Sequence, residues 1–231
     1  MQWGTVMIKM FIGYDPGEIV AYHTFVNSIM RRSSVPVSFT PIMLNQLPEL
    51  TRPRDPLQSN EFAFSRWLVP YLCGYEGWAI FADCDMLMLE DIKELWDLRD
   101  ESKAVQVVKH NHVPENELKY LDTIQTKYER KNWSSVMLFN NRKCEGLTPE
   151  YVNTAHGLDL HQFKWLPDEL IGEIPKEWNF LVDYYEAENS GNIKNLHYTE
   201  GGPYFKDYID CDFAEEWQEE FIDMTFCKQK E

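Results

Sequence analysis

Short apolar runs alternate with amphipathic stretches through the first 140 residues. Val6 to Ile12 reads as a strand, and Gly13-Tyr14-Asp15-Pro16-Gly17 as its exit loop. Asp15, Pro16 and Glu18 fit the N-cap, N1 and N3 positions of a helix to about Met30, with Ile19, Tyr22, Val26 and Ile29 or Met30 as its apolar stripe. Val35 to Phe39 predicts a second strand. Residues 51 to 61 are polar and proline-broken, a candidate mobile loop carrying Arg52 and Arg54. A helix from about Glu61 to Leu72, kinked near Pro70, follows. Trp78-Ala79-Ile80-Phe81-Ala82 has no polar member, the pattern of a strand covered on both faces. Asp91 then caps a helix to Leu98, and Ala104 to Lys109 predicts another strand. Residues 115 to 130 are polar and helix-prone, Ser135 to Phe139 form a further buried strand, and a last helix lies near residues 213 to 224. Strands alternating with helices predict an α/β architecture with a mixed, mostly parallel sheet, in one domain spanning residues 1–231.

The strand at 78 to 82 stops at Asp83-Cys84-Asp85. In open α/β sheets ligands gather beyond the carboxyl ends of the strands. Two carboxylates spaced i, i+2 at such a point suit a hard divalent cation. Asp91 already caps the next helix, so the pair has no capping duty. The chain holds its own control, a second Asp-Cys-Asp at 210 to 212. No long apolar strand precedes that copy, and Asp212 with Glu215 reads as the N-cap and N3 of the last helix. Of the six histidines, His197 is the best-placed third ligand. It opens His-Tyr-Thr-Glu-Gly-Gly-Pro, in which Gly201 and Gly202 would let backbone N–H groups approach a phosphate. A nitrogen beside two carboxylates favours Mn²⁺, with Mg²⁺ as the alternative.

Charge narrows the partners. Thirty-eight acidic against 22 basic residues give a formal net charge of −16, which argues against nucleic acid or an anionic membrane as partner. A phosphorylated substrate would then need a local cation. The five cysteines are odd in number and form no CxxC pair, so neither a disulfide framework nor a structural zinc site is expected. With no signal-like start and no apolar window of about 18 residues, the expectation is a cytoplasmic protein without a transmembrane segment. Asn132-Trp133-Ser134 matches a glycosylation sequon, which carries little weight there.

Several stretches together resemble glycosyltransferases of the GT-A fold, most closely the family 8 group that includes glycogenin and bacterial galactosyltransferases. Phe64-Ser-Arg-Trp-Leu-Val-Pro-Tyr-Leu72 followed by Ala-Ile-Phe-Ala-Asp-Cys-Asp is similar to that family's arginine helix and DxD strand. Asn132 to Asn140 resembles its Asn-Ser-Gly strand, Leu166 to Gly172 with Trp178-Asn179 its Asp-Gln segment and Trp-Asn turn, and His197-Tyr-Thr-Glu-Gly its late histidine element. The resemblance covers nearly the whole chain. It implies a nucleotide-binding part to about residue 110 and a donor-sugar and acceptor part beyond it. Gly13, Tyr14 and Asp15 would hold the uridine of a UDP-sugar, Arg66 its sugar or phosphates, and Cys84 would lie within the same binding motif. Asp83 would touch ribose and metal, Asp85 and His197 would bind metal, and Ser134 and Ser135 would face the sugar. Asp168 and Glu169 would flank the anomeric carbon. The implied reaction is hexose transfer to a glycan, lipid or protein acceptor, with retention; an inverting reaction with Asp168 or Glu169 as base is the alternative.

The chain departs from the pattern where chemistry matters. Glu169 replaces a glutamine, Gly172 an asparagine, and Gly202-Pro203-Tyr204 a Lys-Pro-Trp phosphate clamp, leaving Lys206 as the substitute. A carboxylate at 169 could act as nucleophile or stabilise an oxocarbenium-like centre. Competing readings are a nucleotide-sugar binding protein or UDP-sugar hydrolase without true transfer, and a DxD phosphohydrolase. The last would place its motif nearer the N-terminus, with Thr or Val where Leu87 stands.

Overall fold

The computed structural model of the chain describes residues 7–55, 58–111, 118–119, 123–124, 129–186 and 192–226. Its main sheet holds β1 (Ile8–Gly13), β2 (Val37–Ile42), β3 (Trp78–Ala82), β5 (Val105–Val107), β8 (Val136–Asn140) and β9 (Ile171–Glu173), in the spatial order β2-β1-β3-β8-β5-β9. Only β8 runs against its neighbours. All five residues of β3 are buried, as its unbroken apolar run requires. The second strand starts two residues later than Val35 and takes in Pro41, which an edge strand tolerates because one side of its ladder is unpaired.

A smaller sheet joins β10 (Phe180–Leu181), β11 (Asn195–His197) and β4 (Met86–Met88), with β11 antiparallel to β4. The helices are α1 (Ile19–Arg32), α2 (Val69–Leu72), α3 (Ile92–Asp97), α4 (Pro149–Thr154), α5 (Gly157–His161) and α6 (Ala214–Thr225). Asp15 caps a 3₁₀ turn, Pro16–Glu18, that leads into α1, and Asp91 caps α3. The buried face of α1 runs through Ala21, Tyr22, Phe25, Ser28 and Ile29, while Ile19 and Met30 are exposed. Ser28 can be buried because its hydroxyl donates to the Phe25 carbonyl and accepts from Met88 N–H.

Three further expectations are corrected. Residues 61–72 do not form one helix: a 3₁₀ turn, Ser65–Leu68, precedes α2, with Pro70 in the first turn of α2. Within 115–130, Leu118–Lys119 and Thr123–Ile124 pair as two short antiparallel strands, β6 and β7, residues 129 and 130 lie in a turn, and the rest of that segment lies outside the described residues. The N-cap of α6 is Phe213 at φ +57°, without a side-chain cap, so Asp212 does not cap it.

Candidate metal and donor site

Strand register builds the site. Ile12 lies opposite Ala82, so Gly13 and Asp83 leave the sheet side by side. A side chain at Gly13 would collide with the Phe62 ring, which stands 2.4 Å from where its Cβ would be. Asp83 N–H donates to the Ser135 carbonyl at 2.9 Å, which carries the β3–β8 pairing past the sheet edge and draws Ser134 and Ser135 up to the aspartate. On the other flank His197 pairs with Met86, the residue after Asp85, and Tyr198 N–H donates to the Asp85 carbonyl at 2.9 Å.

Asp83, Asp85 and His197 are all buried, and each offers one ligand atom within 4.8 Å of the others. His197 Nε2 lies 3.4 Å from Asp85 Oδ1, while its Nδ1 meets Asn179 Oδ1 at 2.8 Å. Asn179 Nδ2 donates to the Asn132 carbonyl, which turns its oxygen to the ring and makes Nδ1 the N–H. In the neutral imidazole Nε2 then presents a lone pair to a carboxylate. Two acceptors facing each other suit a shared cation, and the two-oxygen, one-nitrogen donor set fits a divalent metal.

These residues line a cavity of about 250 Å³ with Arg66, Lys131, Asn132, Ser134, Ser135, the start of α5, Asp55 and residues 58–60. Arg66 reaches the site from a 3₁₀ turn. It is buried, its Nη1 lies 2.8 Å from Asp83 Oδ1, and it donates at 2.8 Å to the Ser134 carbonyl. Arg52, expected on a mobile loop, instead donates to the Val152 carbonyl at 2.7 Å and rests 3.5 Å from the Phe64 ring centre. Burial holds its pKa below the ordinary guanidinium value, with Asp55 opposing.

Other expected site residues fall outside the cavity lining. Gly13, Tyr14 and Asp15 occupy the same sheet edge, where Asp15 accepts from Gly17 N–H at 2.8 Å and Glu61 N–H at 3.0 Å. The Cys84 thiol is fully buried and turned toward Glu18, 3.9 Å from its Oε2; burial first, then Glu18 and the neighbouring aspartates, push its pKa well up. It packs the strand exit from behind and does not line the site. Gly201 and Gly202 face rings, with a Cβ on either meeting Tyr208 at 2.8 Å or Tyr204 at 2.4 Å. Ring packing by itself requires glycine at both positions. Asp168 and Glu169 are exposed on a 3₁₀ turn, where Asp168 pairs with Arg130 at 2.8 Å and the Glu169 carbonyl accepts from Lys103. Lys206 lines a separate acidic depression with Asp183, Asp207 and Asp210. Sequence reasoning passed over Lys131 and His161, which line the cavity on a turn and a short helix where no spacing marks them.

A protein of Arabidopsis thaliana described as Protein CDI is 46% identical over 231 residues, covering 96% of this chain and 89% of the relative. The chain belongs to the Protein CDI family. No family model matches it. Among solved structures, the bifunctional glycosyltransferase WbbM superposes with a TM-score of 0.64 at 14% identity, covering 97% of this chain. The apo glycosyltransferase GlyE of Streptococcus pneumoniae TIGR4 gives 0.62 at 14% identity over 94% of this chain. The galactosyltransferase LgtC, solved with donor and acceptor sugar analogs, gives 0.61 at 11% identity over 96% of this chain and 98% of its own. The chain spans 52% of the WbbM chain and 60% of the GlyE chain. At these identities the likeness is one of fold, the GT-A fold. Among the described residues no helix is long and apolar enough to cross a membrane.

Proposed function

We propose that the chain is a metal-dependent glycosyltransferase, nearest to family 8 in its motifs, that takes a hexose from a UDP-sugar with retention. The observation that carries this reading is the meeting of Asp83, Asp85 and His197 at the carboxyl edge of a GT-A sheet, in a cavity shared with Arg66, Ser134 and Ser135. A divalent ion there, Mn²⁺ by its donor set, would act as Lewis acid and template for the diphosphate leaving group. The chain's own contribution is orientation. Asn179 sets the imidazole, Arg66 holds Asp83, and the serines stand beside the position that a sugar would take. Arg66 beside Asp83 and Lys131 in the same cavity supply positive charge, which lets an anionic donor enter a chain of strongly negative net charge.

The roles of Asp168 and Glu169 as reaction-centre carboxylates gain no support from their exposed position. That position favours a second reading, nucleotide-sugar binding or slow donor hydrolysis without transfer. Calorimetry with UDP and GDP, with Mn²⁺ and after chelation, tests the binding. UDP affinity should fall at least tenfold on chelation and in Asp85→Asn, and an unchanged affinity in both would remove the metal site. Chromatography of products from UDP-hexoses with simple sugars then separates transfer from hydrolysis, and the anomeric proton coupling of any product reports its stereochemistry.

A further inference from the structure

His161, on α5, lines the cavity with its half-buried ring held between Trp67 and Phe64, at centroid distances of 5.6 and 6.1 Å. Its Nδ1 lies 3.1 Å from Ser134 Oγ. The ring also meets the Ala63 backbone in a contact that favours protonation, as an N–H donating to a carbonyl does. With Nδ1 turned to Ser134, that donor is Nε2–H, and the neutral ring leaves Nδ1 as an acceptor. Burial keeps the ring neutral and drives its pKa down to about 3, helped by the charges of Arg66, Lys131 and Arg52. In that tautomer the Ser134 hydroxyl donates its proton to His161 Nδ1. Arg66 Nη1, which can only donate, reaches the same oxygen at 3.4 Å. Ser134 Oγ has no hydrogen left for a ligand, only a lone pair.

We propose that His161 is a positioning residue that makes Ser134 an obligate hydrogen-bond acceptor, selecting a donor sugar that presents a hydroxyl at this point of the cavity. The inference rests on the nucleotide-sugar reading above. A carboxylate or phosphate oxygen brought to Ser134 would meet a second acceptor and gain no bond. A sugar O–H would complete the oxygen's partners. A site built around such a bond discriminates strongly against the analogue that lacks the hydroxyl.

The test is calorimetry with Mn²⁺, comparing UDP, UDP-glucose, UDP-galactose and their monodeoxy forms. His161→Phe retains the ring contacts and removes the acceptor; Ser134→Ala removes the hydroxyl. Each should lower the preference for UDP-hexose over UDP by about tenfold, the worth of one hydrogen bond. The double variant should be no worse than either single one, because both remove the same contact. UDP affinity itself should stay constant, and His161→Gln, whose amide oxygen can accept the serine proton, should keep most of the preference. An equal loss for UDP and UDP-hexose, or effects of the two substitutions that add in full, would overturn the assignment. Should His161→Phe fail to fold, the monodeoxy series decides: one deoxy position must cost affinity in the wild type and cost nothing in Ser134→Ala. A wild type that binds UDP and UDP-hexoses alike removes the inference alone. One that binds neither removes the nucleotide-sugar reading and the inference with it.

Discussion

Asn179 does not itself line the cavity, yet two hydrogen bonds to residues that do give it control of a metal ligand. Its Nδ2 donates to the Asn132 carbonyl at 3.2 Å, so its Oδ1 must accept from His197 Nδ1–H at 2.8 Å. The ring is held with Nε2 toward Asp85, and a free ring would lose that aim. Partners of this kind are worth about 10–100-fold in metal affinity. Asn179→Ala should therefore weaken Mn²⁺ binding by about that factor, while Asp85→Asn should abolish measurable binding. Mn²⁺ titration followed by electron paramagnetic resonance reads both. An Asn179→Ala protein that binds Mn²⁺ as tightly as the wild type would show that strand pairing alone orients His197. Among single residues, Asp83 and Asp85 were legible from sequence because the apolar run before them marks a strand exit. Asn179 was marked only as part of a Trp-Asn turn and His161 not at all, because their value depends on a partner's carbonyl or hydroxyl brought close only by folding.

At the scale of elements, the same division between local and long-range information holds. The buried strand Trp78–Ala82 and the cap of Asp91 are written in adjacent residues and could be read there. The pairing of Asn195–His197 with Met86–Met88, which sets His197 beside Asp85, joins segments about a hundred residues apart and has no local sign. The packing of α1 on α6 is of that kind too. Glu220 on α6 is buried, with its side chain 2% exposed, and it accepts from Asn27 Nδ2 at 2.5 Å and Arg32 Nη1 at 2.7 Å on α1. Arg31 lies 3.3 Å from the same carboxylate. Breaking a buried ion pair costs about 3–5 kcal/mol when a charge is left uncompensated. Here the arginines left behind are partly exposed and can be rehydrated, so Glu220→Ala should cost less, about 2 kcal/mol. Urea unfolding should show a lower midpoint with an unchanged denaturant slope. A shift below about 0.5 kcal/mol, the usual range of surface substitutions, would mean that apolar contacts alone hold the two helices together.

Across the whole molecule, acid acts on stability through two opposed terms. The formal charge of −16 repels itself in the compact state, and protonating surface carboxylates relieves that repulsion, chiefly below about pH 5. His161 responds earlier and in the other direction. Its folded pKa is pushed down to about 3, by burial first and by the Arg66, Lys131 and Arg52 charges after it. In the unfolded chain it titrates near the ordinary value of about 6.5. Between those limits the unfolded state binds a proton that the folded state refuses. Its stabilisation is complete above about pH 6.5 and is lost as pH falls through the window toward 3. The slope is about 1.4 kcal/mol per pH unit for one proton, and carboxylate titration obscures it at the acid end. Urea unfolding at pH 7, 6 and 5 on the wild type and His161→Phe isolates the term, since surface charge is common to both. The wild type's stability relative to the variant should fall by about 1.2 kcal/mol from pH 6 to 5. A difference that stays constant over this range would mean that His161 takes up its proton equally in both states, and would remove the neutral ring on which the Ser134 acceptor depends.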